Sequence, residues 1–211
     1  MTPDDIALAV RNRYNAIGDP FFSDDMIYDA IYQACLIMTN EGMVIERTYS
    51  TESVNGTREY AYPNNATSIR RVEYKGVKLF PRSLEDDPKT SVTEPQGTPS
   101  EYAIWNYELI LFPTPDEDGH EIKVFTFNNP QRVTASSTLE VPEAYHMDIV
   151  DFILSVFYAK DQQNQMATYH RNLWERALNR IKRHNMKRQY GDEYAVVRDE
   201  AEVPAHPGIL L

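Results

Sequence analysis

Four groupings of side chains in this chain could carry chemistry. The densest is Asp116-Glu117-Asp118-Gly119-His120-Glu121, whose carboxylates suggest a calcium loop. A twelve-residue EF-hand loop must close on a bidentate acid, and that position falls on Phe127 in a predicted strand. The spacing therefore reads as a solvated β-turn. The histidines, at 120, 146, 170, 184 and 206, are dispersed. His146 and His170 lie on neighbouring predicted helices and could approach each other, but a metal site needs further ligands at fixed geometry. Cys35 falls on the apolar face of a predicted helix, where cysteine is more often a small buried hydrophobe than a nucleophile. The fourth grouping is Arg176, Arg180, Arg183 and Lys187, spaced i, i+4, i+7 and i+11, which puts four cations on one helix face.

Established catalytic patterns are absent. The sequence has no Gly-x-Ser-x-Gly nucleophile turn, no Gly-x-x-x-x-Gly-Lys phosphate loop, no His-Glu-x-x-His and no cysteine pair. No catalytic residue, metal ligand or cofactor is nominated, and an enzyme is not the expectation. The basic stripe leaves three readings open: a solvated or ion-paired face, a contact with DNA, or a contact with an acidic protein surface.

Composition narrows the field. In 211 residues, 21 basic side chains face 32 acidic ones, for a net charge of −11. That balance argues against tight, general binding of duplex DNA, which rests on neutralised phosphates. The charge is uneven: residues 1–170 carry −13, residues 171–188 carry +6 and residues 189–211 carry −4. A lone cysteine allows no internal disulfide and favours a reducing compartment. The polar start and the lack of a long apolar run argue against export and against a membrane span. Glycine is scarce at 8 residues while tyrosine is frequent at 14, a balance suited to broad contact surfaces.

The elements that must position these groups are helices at both ends with strands between, an α+β chain. Thr2-Pro3-Asp4-Asp5 reads as a helix start, followed by Ile6, Val10, Tyr14 and Ile17 on one face and Gly18-Asp19-Pro20 as a stop. Ser23-Asp24-Asp25 opens a second helix with the stripe Ile27, Ile31, Ala34, Cys35 and Met38, and Gly42 is placed to close it in a left-handed cap. From Met43 to Pro130 the pattern alternates. Ile69–Tyr74 and Val77–Phe80 flank the turn Lys75-Gly76, Tyr102–Trp105 and Glu108–Phe112 flank Asn106-Tyr107, and Ile122–Phe127 adds a strand. Ser83 to Ser100 reads as a long exposed loop. Helical spacing returns after Pro142 with Tyr145, Ile149, Phe152, Ile153, Val156 and Phe157. After a break at Asp161–Asn164 it continues with Ala167, Leu173, Trp174, Ala177, Leu178 and Ile181. The expected organisation is a helical hairpin over 1–42, a β-rich insertion over 43–140, two helices over 141–188 and an extended tail over 189–211.

In that order of elements, three segments stand out: Phe22-Ser23-Asp24-Asp25-Met26-Ile27, Tyr107-Glu108-Leu109-Ile110-Leu111-Phe112-Pro113-Thr114-Pro115 and Val141-Pro142-Glu143-Ala144-Tyr145-His146. With Ala167-Thr168-Tyr169 to Trp174, their order and spacing resemble the head-to-tail adaptor, or connector, proteins of tailed bacteriophages over about residues 1–188. The second helix departs from the commoner aromatic-Ser-Asp-x-Glu-Leu form by carrying Met26-Ile27.

The resemblance implies a virion structural protein. It would form a ring, commonly dodecameric, below the portal at the head vertex, join the head to the tail or nozzle protein, and let DNA pass during ejection. It would reside at the head–tail interface of the virion, after assembly in the host cytoplasm, and bind no cofactor or membrane. Mapped by segment, Gln189 to Leu211 is the candidate portal-reaching tail, with Tyr190, Tyr194, Val196, Val197, Ile209, Leu210 and Leu211 as its contacts. Arg176, Arg180, Arg183, Lys187, Glu94 and Glu101 are the candidate intersubunit or partner contacts. Two alternatives stand beside it: a tail-completion or nozzle protein of the same virion, and a DNA-binding accessory factor.

Overall fold

The computed structural model describes residues 1–15, 22–84 and 95–190, with side chains to Arg188. Ile17, Gly18-Asp19-Pro20, Glu94, most of the Ser83–Ser100 loop and the tail beyond Tyr190 lie outside the described residues.

Helix α1 spans Pro3–Tyr14. Thr2 starts it as the sequence predicts, through a reciprocal capping box: the Thr2 hydroxyl accepts from the Asp5 amide at 3.2 Å, and the Asp5 carboxylate accepts from the Thr2 amide at 2.7 Å. The helix ends earlier than its apolar stripe suggests, at Asn15, which takes a left-handed φ of 59°. Helix α2, Asp24–Gly42, is capped by Ser23 and buries Ile27, Ile31, Ala34, Cys35 and Met38. Its left-handed cap is Met43 with φ 51°, not Gly42. Gly42 serves instead as a spacer: a Cβ there would lie 2.5 Å from Cγ2 of Ile181.

Pro142 opens a single 3-10 turn, Glu143–Tyr145, and α3 follows at His146–Lys160. After the reversal at Asp161–Gln163, α4 runs over Asn164–Tyr190. The four helices share one core that includes Ile6 and Val10 of α1, Ile31 and Met38 of α2, Ile149 and Ile153 of α3 and Trp174 and Ile181 of α4. Each such side chain, taken fully from water, contributes about 1.5–3 kcal/mol before entropy is counted. At one end of the core Phe22 stacks on Phe157, with centroids 4.1 Å apart, and Tyr14 meets both rings edge-on.

Between the helical halves lie eight strands: β1 Glu46–Glu52, β2 Glu59–Ala61, β3 Ala66–Tyr74, β4 Val77–Lys78, β5 Phe80–Pro81, β6 Glu101–Trp105, β7 Glu108–Phe112 and β8 Glu121–Asn128. They form two sheets, ordered β1-β8-β3-β4 and β2-β7-β6-β5, antiparallel except for the short β5–β6 pair. Val72, Tyr74, Ile122 and Val124 of the first sheet meet Tyr60, Tyr102, Leu109 and Leu111 of the second in a single core, so the insertion is a small β-sandwich.

Val77–Phe80, one strand by its pattern, is split between the sheets. Buried Leu79 marks the crossing. Both expected hairpin turns have two consecutive positive φ angles, Lys75-Gly76 at 51° and 76° and Asn106-Tyr107 at 50° and 59°, as a type I′ turn requires. No helix among the described residues is long and apolar enough to cross a membrane.

Candidate functional site

The Asp116–Glu121 segment, His146, His170 and Cys35 are each held or buried by the fold. In the Asp116–Glu121 segment, Glu117 accepts from Lys75 Nζ at 2.5 Å and approaches His120 Nε2 at 2.6 Å, while Asp118 accepts from the Asn55 amide at 2.6 Å. The hydrogen bonds from Lys75 and His120 hold the Glu117 carboxyl below the usual carboxylate range. The segment is a turn tied to its neighbours. His146 Nε2 lies 2.7 Å from the Val141 carbonyl, and His170 Nδ1 lies 3.0 Å from Asp151 Oδ1 with its ring stacked on Tyr158. The two histidines thus have separate partners, and among the described residues no group of three or more His, Cys, Asp or Glu is placed to hold a metal. Cys35 is buried in the bundle, where loss of solvation pushes its thiol up to about 12 and disfavours the nucleophilic thiolate.

The basic stripe is where the sequence puts it. Arg176, Arg180, Arg183 and Lys187 are all exposed on α4. Arg180 donates to Asp148 of α3 at 2.6 Å. Burial raises the Asp148 carboxyl pKa, and the Arg180 guanidinium offsets part of that rise. Arg183 Nε donates to the Asn179 carbonyl at 3.3 Å. Cations beside the stripe are paired elsewhere: Lys182 with Glu41 at 2.6 Å, Arg171 with Glu175 at 3.2 Å and Arg188 with Glu46 at 2.7 Å.

Glu101 belongs to another surface. It pairs with Arg82 at 3.4 Å, and the Arg82 guanidinium lies over the Phe112 ring at 4.8 Å on the second sheet. Of the tail residues, Tyr190 ends α4, while Tyr194, Val196, Val197, Ile209, Leu210 and Leu211 lie outside the described residues, as does Glu94.

Two surfaces escaped the sequence reading. At the β6–β7 hairpin tip, Ile104, Trp105 and Tyr107 project into solvent, with Trp105 67% and Tyr107 83% exposed. Among the described residues, the Tyr107 ring makes a T-shaped contact with Tyr62, centroids 6.3 Å apart. An aromatic residue at φ 59° is unusual, since glycine is preferred there, and the Asn106-Tyr107 dipeptide held that signal. The second surface joins α1 to α2, where Asp4 accepts from the Tyr28 hydroxyl. This bond, with the charges of Asp24 and Asp25 nearby, pushes the Tyr28 phenol up to about 12. Nothing in the spacing of Asp4 and Tyr28 announced this pairing.

The described residues form a helical bundle carrying a β-sandwich, with Trp105 and Tyr107 turned outward at a hairpin tip. The chain belongs to the SU10 adaptor protein family, whose model matches residues 1–199. It is a bacteriophage head–tail adaptor, a structural component of the virion at the head–tail region. No curated protein matches it.

Proposed function

We propose that copies of this chain assemble into a ring, dodecameric in the form the family resemblance implies, which joins the portal at the head vertex to the tail and lets duplex DNA pass through its channel. One observation supports a contact role most strongly. The β6–β7 tip holds a bulky aromatic residue at a positive φ, which costs about 1 kcal/mol relative to glycine, yet leaves that ring 83% exposed. A residue that strains its own turn and packs on little in its own chain is suited to packing on another.

The charge supports the conduit. A net charge of −11 repels phosphates, and a channel wall on which acids predominate would let the duplex slide without gripping it. In this reading the α4 cations face protein rather than the bore. The tail over residues 189–211 reaches the portal. Co-sedimentation with portal-bearing heads tests the reading: the full chain is expected to pellet with the heads, and a chain ending at Arg188 to remain in solution. Equal pelleting of both chains would remove the tail from the portal contact, and failure of the full chain to pellet would reject the joining role.

A further inference from the structure

A closed ring of identical subunits needs two different surfaces on opposite sides of each copy, because the contact is heterologous. The bundle supplies such a pair. Helices α1 and α4 each pack on both α2 and α3, which places them at opposite corners. The Asp4–Tyr28 hydrogen bond marks the α1–α2 edge, and the Arg180–Asp148 ion pair marks the α3–α4 edge across from it.

The first edge is acidic. Asp4, Asp5, Asp24, Asp25 and Asp29 are all exposed there, and the local cations paired with them are Arg11, with Asp24 at 2.6 Å, and Arg132, with Asp29 at 2.7 Å. Leu8, 56% exposed, adds an apolar contact on the outer side of α1. The opposite edge carries Arg176, Arg180, Arg183 and Lys187 along about 16 Å of α4, with Met186, also exposed, beside them.

We infer that the α4 cations of one copy dock on the α1–α2 aspartates of a second copy of this chain. The inference deepens the ring reading and rests on it for closure, although the pairwise contact stands by itself. Single exposed ion pairs contribute little, but facing arrays of opposite sign steer encounter, fix register and reject the like-charged alternative. The two edges lie on opposite sides of one bundle, so the α4 stripe cannot reach the α1–α2 aspartates of its own chain. Each added copy leaves one edge of each sign available to the next.

Charge inversion tests this. The variants are R176E/R183E, D25K/D29K and the chain carrying all four changes, with thermal melts to establish that each is folded. Sedimentation velocity is run at low salt and at about 0.15 M salt, where screening reaches about 8 Å. The native chain is expected to self-associate at low salt, and each two-site variant to associate at least about tenfold more weakly. An equimolar mixture of those two variants regains association, since every contact in an alternating assembly is again between opposite signs, and so does the four-site chain. A native chain that stays monomeric at low salt, or a mixture no better than its parts, overturns the inference.

Imaging the head vertex separates this outcome from the ring reading. If both two-site variants occupy the vertex as the native chain does, the contact is wrong and the ring stands. If the mixture recovers association but the native chain is missing from the vertex, the ring reading fails and the contact stands.

Discussion

Replacing Gly42 with alanine tests the seam on which the bundle depends. Gly42 ends α2 where α4 crosses it, and an added Cβ would lie 2.5 Å from Cγ2 of Ile181 and 3.4 Å from Cγ1 of Val44. Ile181 is fully buried, and a β-branched side chain in a helix holds essentially one χ1 rotamer, so the methyl cannot swing away. The helices must separate, and Asn185, which donates to the Gly42 carbonyl, must lose that bond or move with them. Overpacking of this kind costs about 1–3 kcal/mol, offset by the roughly 0.5–1 kcal/mol that alanine gains over glycine in a helix. The expected result is a net loss of about 1–2 kcal/mol by urea denaturation.

Ile181→Leu moves the branch from Cβ to Cγ and removes the offending methyl at nearly constant volume. In that background Gly42→Ala is expected to cost about 1 kcal/mol less, a coupling that a double-mutant cycle resolves. A neutral or stabilising Gly42→Ala, or an equal cost in both backgrounds, would refute the close-approach argument and return Gly42 to the role of an ordinary helix terminus.

Other predictions follow from the exposed surfaces. Tyr107→Gly relieves the left-handed strain and is expected to leave the fold equal or more stable, by up to about 1 kcal/mol, while lowering incorporation into particles. A destabilised fold, or unchanged incorporation, would contradict the hairpin's role as a contact. The Tyr28 phenol is expected to ionise near 12 rather than near its ordinary value of 10, since the Asp4 carboxylate accepts a hydrogen bond from the neutral hydroxyl and opposes a second negative charge. A difference titration of the native chain against Tyr28→Phe isolates that group. Asp4→Asn should move its ionisation toward 10, and an unmoved titration would contradict the Asp4–Tyr28 hydrogen bond.

What the sequence made legible follows from where each signal is encoded. Local geometry was readable: Thr2-Pro3-Asp4-Asp5 specifies a helix start, Asn106-Tyr107 between two β-rich runs specifies a tight hairpin, and the spacing from Arg176 to Lys187 specifies one face of α4. Contacts between distant elements were not. Gly42 looked like a cap because caps favour glycine, while its actual constraint, the Ile181 methyl, lies 139 residues away in the chain. Strand β1 escaped because six of its seven residues are exposed, so no apolar alternation marks it. Leu79 hid a change of sheet inside what looked like one strand, since a buried residue between two short exposed pairs has the same pattern as a strand. The α1–α2 aspartates were visible as helix-start signals, and their second role arises only when the bundle brings Asp4 to Tyr28.

Imaging the head–tail vertex of particles assembled with and without this chain bears most directly on its proposed place in the virion. The account predicts a ring of density between portal and tail that appears only when the chain is supplied, accommodates the bundle and sandwich described above, and leaves an open axial channel. A vertex of identical density in both preparations, or a chain found only outside the portal–tail junction, would contradict it.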